Sequence, residues 1–174
     1  MIYKCIIVPI RKARGKNMIF NIFFGFLLVA AAWCAWQIAV ADWRRRIIPD
    51  AYLWPLMLIG LIMAAWNPWW ITNARMAVVG AVFGYALAAV IGFIFDWRIR
   101  RKNPDAAAPI GLGDIKLIAV GGIWLDVTGL AVALVISCIL GLAWGKYKNQ
   151  KYIPFAPFFL LGGILALIGT WFLL

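Results

Sequence analysis

Histidine is absent from this chain, and so is glutamate. Without histidine, Ser-His-Asp and Cys-His catalysis are excluded, together with the His-rich metal sites. Three cysteines, Cys5, Cys34 and Cys138, lie far apart and form no CxxC pair, so neither a zinc site nor a disulfide framework is expected. Cys34 and Cys138 fall in apolar runs and read as packing residues, and Cys5 reads as a free thiol near a basic tail. Charge of either sign is scarce: 13% of residues are charged, against roughly 25% in a soluble domain. No soluble linker, repeat or low-complexity segment interrupts the chain.

What fills the space is apolar. Of 174 residues, 66% are hydrophobic, which identifies an integral membrane protein, all-α, with about six transmembrane helices. The spans are expected near 19–40, 51–66, 76–95, 112–125, 128–144 and 153–173. The second and fourth are short for a hydrocarbon core that takes roughly 20 residues. The region 112–145 reads either as one overlong span or as two. Asp126 and Gly129 in LDVTG are the breakers that favour two.

Charge bias favours the same division. The segments after spans one, three and five carry Arg44, Arg45, Arg46, Arg98, Arg100, Arg101, Lys102, Lys116, Lys146, Lys148 and Lys151, whereas the opposite loops between spans carry only Arg75. The positive-inside rule places the first set in the cytoplasm and both termini outside. The basic tail 1–18, with Lys4, Arg11, Lys12, Arg14 and Lys16, runs against that bias. It reads as an interfacial segment, or as a stretch preceding a start at Met18. The membrane-embedded domain is 19–174, and its first span is retained rather than cleaved. The net charge of +11 is thus read as topology and contact with anionic lipid, with no nucleic acid as partner.

Trp43, Trp54, Trp66, Trp69, Trp70, Trp97 and Trp144 fall near span ends, where an amphipathic ring suits the headgroup layer. Gly80 with Gly84, and Gly141 with Gly145, form GxxxG spacings that permit close helix approach.

The rare acids carry the chemistry. All six are aspartates. Asp42 ends the first apolar run, and Asp114 begins the fourth. Ionisable groups at membrane depth are costly and are functional candidates by default. The alternating topology brings these two to one face at similar depth. At a separation of a few Å, like-charge repulsion would raise one pKa and leave a single shared proton. Such a pair can activate water while its protonated member polarises a carbonyl. Gly111 and Gly113 lower the steric cost of a bend or close approach. Pro49 restricts Ile48 and opens the next helix, and Asp50 sits where a carboxylate caps that helix. Lys116 either offsets Asp114 or marks the membrane surface. The competing reading of each acid is a cap or a salt-bridge partner. Asp96, Asp105 and Asp126 read as loop or turn polarity.

Three islands resemble the membrane-embedded catalytic part of the prepilin peptidases, the type IV leader peptidases. They are DWRRRIIPD at 42–50, GLGDIKL at 111–117 and IPFAPFFLLGG at 153–163, the last with Ala156 where glycine is usual. The resemblance implies an aspartic endopeptidase with Asp42 and Asp114 as its catalytic pair and Asp50 as an accessory acid. Pro154 and Pro157 would shape the last helix near the site. The implied substrate is a prepilin or pseudopilin precursor, with a short basic leader ending in Gly before a hydrophobic helix. It would be cut at the cytoplasmic side of the inner membrane, in a type IV pilus or type II secretion setting. The paired CxxC segment linked to N-methylation in many members has no match, so the short, cleavage-only form is expected. No cofactor and no metal is expected, although Asp42, Asp50 and Asp114 share a face. The alternatives are a small transporter or channel, a non-catalytic assembly protein, or another intramembrane protease of the GxGD type.

Overall fold

A computed structural model of the protein describes residues 16–66, 70–103, 110–149 and 153–173. The expectations for Cys5, Trp69, Asp105, Lys151 and most of the basic tail lie outside the described residues. Among the described residues the structure is helical: α1 (Lys16–Arg45), α2 (Asp50–Trp66), α3 (Ala74–Arg100), α4 (Leu112–Lys148) and α5 (Phe155–Leu173). α1, α3 and α4 are long and apolar enough to cross a membrane, and α2 and α5 are shorter apolar helices. The chain is a polytopic helical membrane protein.

α4 is one element by hydrogen bonding but two by direction. Its helical geometry breaks at Asp126, with φ 57° and ψ −167°. The limb 112–125 runs parallel to α5, since Gly121 faces Phe159 and Gly163 faces Leu125. The limb 127–148 runs antiparallel to α5, since Gly162 meets Ala133 and Gly141 meets Phe158. The two limbs therefore form a hairpin, and Leu130 returns to lie against Gly121. Asp126 makes the reversal possible. One of its carboxylate oxygens accepts from the Thr128 hydroxyl and from the backbone N–H groups of Thr128 and Gly129, at 2.7, 2.7 and 3.1 Å. That caps the start of the second limb. Gly129 itself is buried within the limb and does not break it.

Small residues set the helix approaches. A Cβ at Gly80 would strike the Gly122 carbonyl, and one at Gly84 would meet Leu130 and the Ile118 carbonyl. The first GxxxG thus serves as the α3–α4 contact. Gly141 in the second makes only ordinary contact with Ile153 and Phe158. A few polar bonds join helices across the apolar interior. The Trp124 indole N–H donates to the Leu56 carbonyl at 3.1 Å, and the Ser137 hydroxyl reaches the Phe158 carbonyl at 3.2 Å.

Several expectations need correction. α1 continues to Arg45, so Asp42 stands inside its last turns rather than beyond its end. No glycine or proline interrupts that stretch, and Arg44 and Arg45 suit the negative end of the helix dipole. Asp96 lies within α3 and pairs with Arg100 at 2.8 Å, four residues on. Trp70, expected near a span end, is partly buried. It packs edge-on against Trp124, with ring centroids 5.4 Å apart, and joins the core. Cys138 faces outward, whereas Cys34 is buried as expected.

Candidate active site

The cluster of positive charge shares one end of the bundle with Asp42, Asp50 and Asp114. α1 descends to it through Asp42, and Arg46 reverses the chain there with a positive φ of 57°. The Arg46 N–H closes the helix on the Asp42 carbonyl at 3.0 Å. Ile47, Ile48 and Pro49 then connect to α2 without regular secondary structure. Pro49 precedes the helix, where a missing N–H costs nothing, and its carbonyl accepts from Tyr52 and Leu53.

Asp114 enters from the other side of the site, as the third residue of α4. Gly111 is the N-cap, with ordinary extended angles of φ −70° and ψ 144°. Among the described residues no glycine has positive φ, so neither glycine here serves a bend. Each serves an approach. A Cβ on Gly111 would lie 3.3 Å from Asp114 Oδ2, and one on Gly113 would lie 3.0 Å from the Ile48 Cβ. The bare backbone lets the Asp114 carboxylate fold over the helix start and lets the 46–50 connection close against it. An acid at this position of a helix is also half of a capping arrangement. Asp114 therefore satisfies the bland reading while standing in the site.

The third island supplies a tertiary contact that the sequence did not reveal. The backbone N–H of Ala156, the second residue of α5, donates to Asp42 Oδ2 at 2.8 Å. Asp42 is buried, and Ala156 has no exposed surface. A helix N-terminus presents unpaired N–H groups and the positive end of the dipole, which suits a carboxylate. Pro154 ends the approach to α5, and Pro157 sits in its first turn, where the absent N–H is tolerated. With Ala156 where glycine is usual, this contact is made. The signal available in the sequence was Pro-x-x-Pro opening an apolar run, which marks a helix start but not the group it faces.

Asp42 and Asp114 line one cavity of about 590 Å³, with Arg46, Ile47, Ile48, Gly113, Ile153 and Phe155. The wall is part apolar and part charged, and it leaves room for water beside both acids.

Asp50 is drawn elsewhere. The Lys116 ammonium binds both oxygens of Asp50, at 2.8 and 3.0 Å, which ties the start of α2 to the first turns of α4. Lys116 thus pairs with Asp50 rather than offsetting Asp114. The pair is about half exposed, so its direct contribution to stability is small, roughly 0–1 kcal/mol. Its geometry nevertheless holds Lys116 two residues from Asp114. Among the described residues no three of His, Cys, Asp or Glu come together as a metal-binding group.

The fold and this cavity define a class: a polytopic helical membrane protein in which two acids, distant in sequence, face one space at the positively charged end. The sequence model of the Type IV leader peptidase family matches residues 22–146. The chain belongs to that family. It is 32% identical over 160 residues to a prepilin leader peptidase/N-methyltransferase of Burkholderia pseudomallei, covering 86% of this chain and 49% of the relative. Proteins of the same name from Pseudomonas putida and Dichelobacter nodosus are 28% and 27% identical, over 82% and 83% of this chain and 49% and 48% of theirs. The chain thus spans about half the length of the curated relatives it matches. No solved structure matches it.

Proposed function

We propose that this chain is the catalytic unit of a membrane aspartyl endopeptidase. It removes the short basic leader from type IV prepilin-like or pseudopilin precursors at the cytoplasmic face of the inner membrane. The observation that carries the reading is the common cavity of Asp42 and Asp114, with Asp42 anchored by the N-terminus of α5. Family membership supports the reaction class.

The chemistry follows from two acids and one water. One carboxylate, ionised, takes a proton from water as the oxygen attacks the scissile carbonyl. The other, protonated, donates to the carbonyl oxygen and stabilises the charge that develops there. Collapse of the tetrahedral intermediate returns a proton to the departing amine. The Ala156 N–H fixes one oxygen of Asp42 and leaves the other for water. Gly111 and Gly113 let the Asp114 carboxylate and Ile48 close over the start of α4, which holds Asp114 at the cavity. Basic residues at this end suit anionic lipid headgroups and set the orientation. The reading covers leader cleavage and needs no metal or organic cofactor.

The test is cleavage of a prepilin-like precursor in membranes. Asp42→Asn and Asp114→Asn should each abolish processing at normal expression, because the amide keeps the size but cannot exchange the proton. Asp50→Asn should be milder, and cleavage should persist after exhaustive chelation. Full processing by either of the first two variants rejects the mechanism. Loss on chelation, with recovery by one particular metal, replaces it with a metal-dependent one.

A further inference from the structure

A second cavity, of about 250 Å³, lies away from the charged end. Its wall is apolar apart from two indoles. α1 contributes Leu28, Ala31, Ala32 and Ala35, the first limb of α4 contributes Leu117, Gly121 and Leu125, and α5 contributes Phe159, Gly163 and Leu167. Leu28 on α1 and Ile164 on α5 are exposed at its rim, so it opens sideways between those helices toward the bilayer.

Its placement relative to the acids is set by helical register. On α1, Ala35 and Leu28 stand seven and fourteen residues before Asp42, on the same face. On α4, Leu117, Gly121 and Leu125 continue the stripe that begins at Asp114, and on α5 Phe159 and Gly163 continue the one that begins at Ala156. The same three helices therefore build both cavities with the same three faces. The rings of Phe155, beside the acids, and Phe159, in the apolar cavity, stack at 5.2 Å and join the two. At about 1.5 Å per residue, the apolar cavity extends from roughly 5 to 20 Å beyond the acids toward the opposite face.

We propose that this cavity receives bulky apolar side chains of the substrate's hydrophobic helix, beyond the bond that is cut. The proposal rests on the leader-peptidase reading and adds a specificity pocket to it. A chain leaving the acids in this direction enters hydrocarbon, where its backbone must be helical and its side chains apolar. An apolar cavity of roughly 150 Å³ admits a benzene ring, so this one has room for an aromatic side chain or a pair of aliphatic ones, but not for a whole helix. The helix lies in the lateral opening and inserts side chains. Register puts those side chains about 3–13 residues past the scissile bond.

Two experiments on the protein in lipid nanodiscs decide this. The first uses a synthetic precursor with a basic leader, Gly and a Leu/Phe helix, whose scissile amide is reduced so that it cannot be cut. A benzophenone side chain is moved along the helix. Adducts to Ile164 should peak when the probe is about 8 residues past the junction, and those to Leu125 and Leu28 at about 11 to 14. Adducts to lipid alone, or to the outward face of α3 at Val82 and Phe93, would overturn the pocket. The second fills the cavity with Ala35→Phe. KM for the cleavable precursor should rise roughly tenfold or more, and trimming the substrate's bulky residues at those positions to Ala should restore it. An equal effect on both substrates would overturn the pocket and leave cleavage itself standing. If the unaltered protein cuts no precursor, the leader-peptidase reading fails and takes the pocket with it. The photolabelling needs no variant, so it decides the matter even if Ala35→Phe does not fold.

Discussion

One backbone N–H decides how Asp42 is held. The Ala156 amide at 2.8 Å is the hydrogen bond that fixes this carboxylate within a buried setting. Ala156→Pro removes the donor at a helix position where proline is tolerated. Hydrogen bonds to charged groups contribute about 1.5–3 kcal/mol, so kcat should fall roughly 10- to 100-fold while the helix content stays unchanged. Kinetics on the reconstituted protein, with circular dichroism alongside, checks this. An unchanged kcat would show that the amide does not orient the acid. The candidacy of the two acids was legible in the sequence, because an acid is rare in so apolar a chain and costly at that depth. The amide was not legible, because every residue has one and only the fold aims it.

At the level of the helix, the division of α4 rests on Asp126. A φ of 57° with ψ near 180° is a region that suits glycine and costs other residues about 1–3 kcal/mol. The side chain offsets that cost through its three hydrogen bonds to Thr128 and Gly129. Asp126→Ala keeps the strained backbone and loses the cap, so it should destabilise the protein by about 1–2 kcal/mol. Asp126→Gly relieves the backbone and should cost less, and Asp126→Asn retains capping and should be nearly silent. Thermal unfolding of the three variants in one detergent ranks them, and a larger loss for Gly than for Ala would contradict the account. The turn was readable from LDVTG, because an acid among apolar residues ends a run. That its carboxylate forms the cap itself, with Gly129 inside the following limb, needed coordinates. The α3–α4 contact divides in the same way. Gly80 and Gly84 announced a close approach, but their partners Gly122 and Ile118 carry no matching mark in the sequence.

For the whole molecule, the internal contacts and the charge bias give one topology. Asp42 meets Ala156, Asp50 meets Lys116, and Ile48 meets Gly113, so the ends that carry Arg44–Arg46 and Lys116 coincide in space. Cysteines introduced at Arg45 and Lys148 should be labelled from the same side, and one at Asn73 from the other, in a background lacking the native cysteines. Labelling of Arg45 and Asn73 positions by the same impermeant reagent would refute six passes in this order.

Composition and the length of the apolar runs determined that this is an all-helical membrane protein, because a continuous apolar run of about 20 residues satisfies its backbone in lipid as a helix, whereas a barrel strand alternates. The spacing of charge and breakers marked the division of α4 at Asp126, and the scarcity of acid singled out Asp42 and Asp114 as candidates. Those are properties of segments, and segments are what a sequence displays. The tertiary structure decided which groups meet: the N-terminus of α5 on Asp42, Lys116 on Asp50 rather than Asp114, and an apolar cavity in register behind the acids. Each depends on the rotation of one helix against another. That rotation is set by small-residue contacts such as Gly80 against Gly122 and by the summed packing of many near-equivalent apolar side chains, no one of which marks its partner in the sequence.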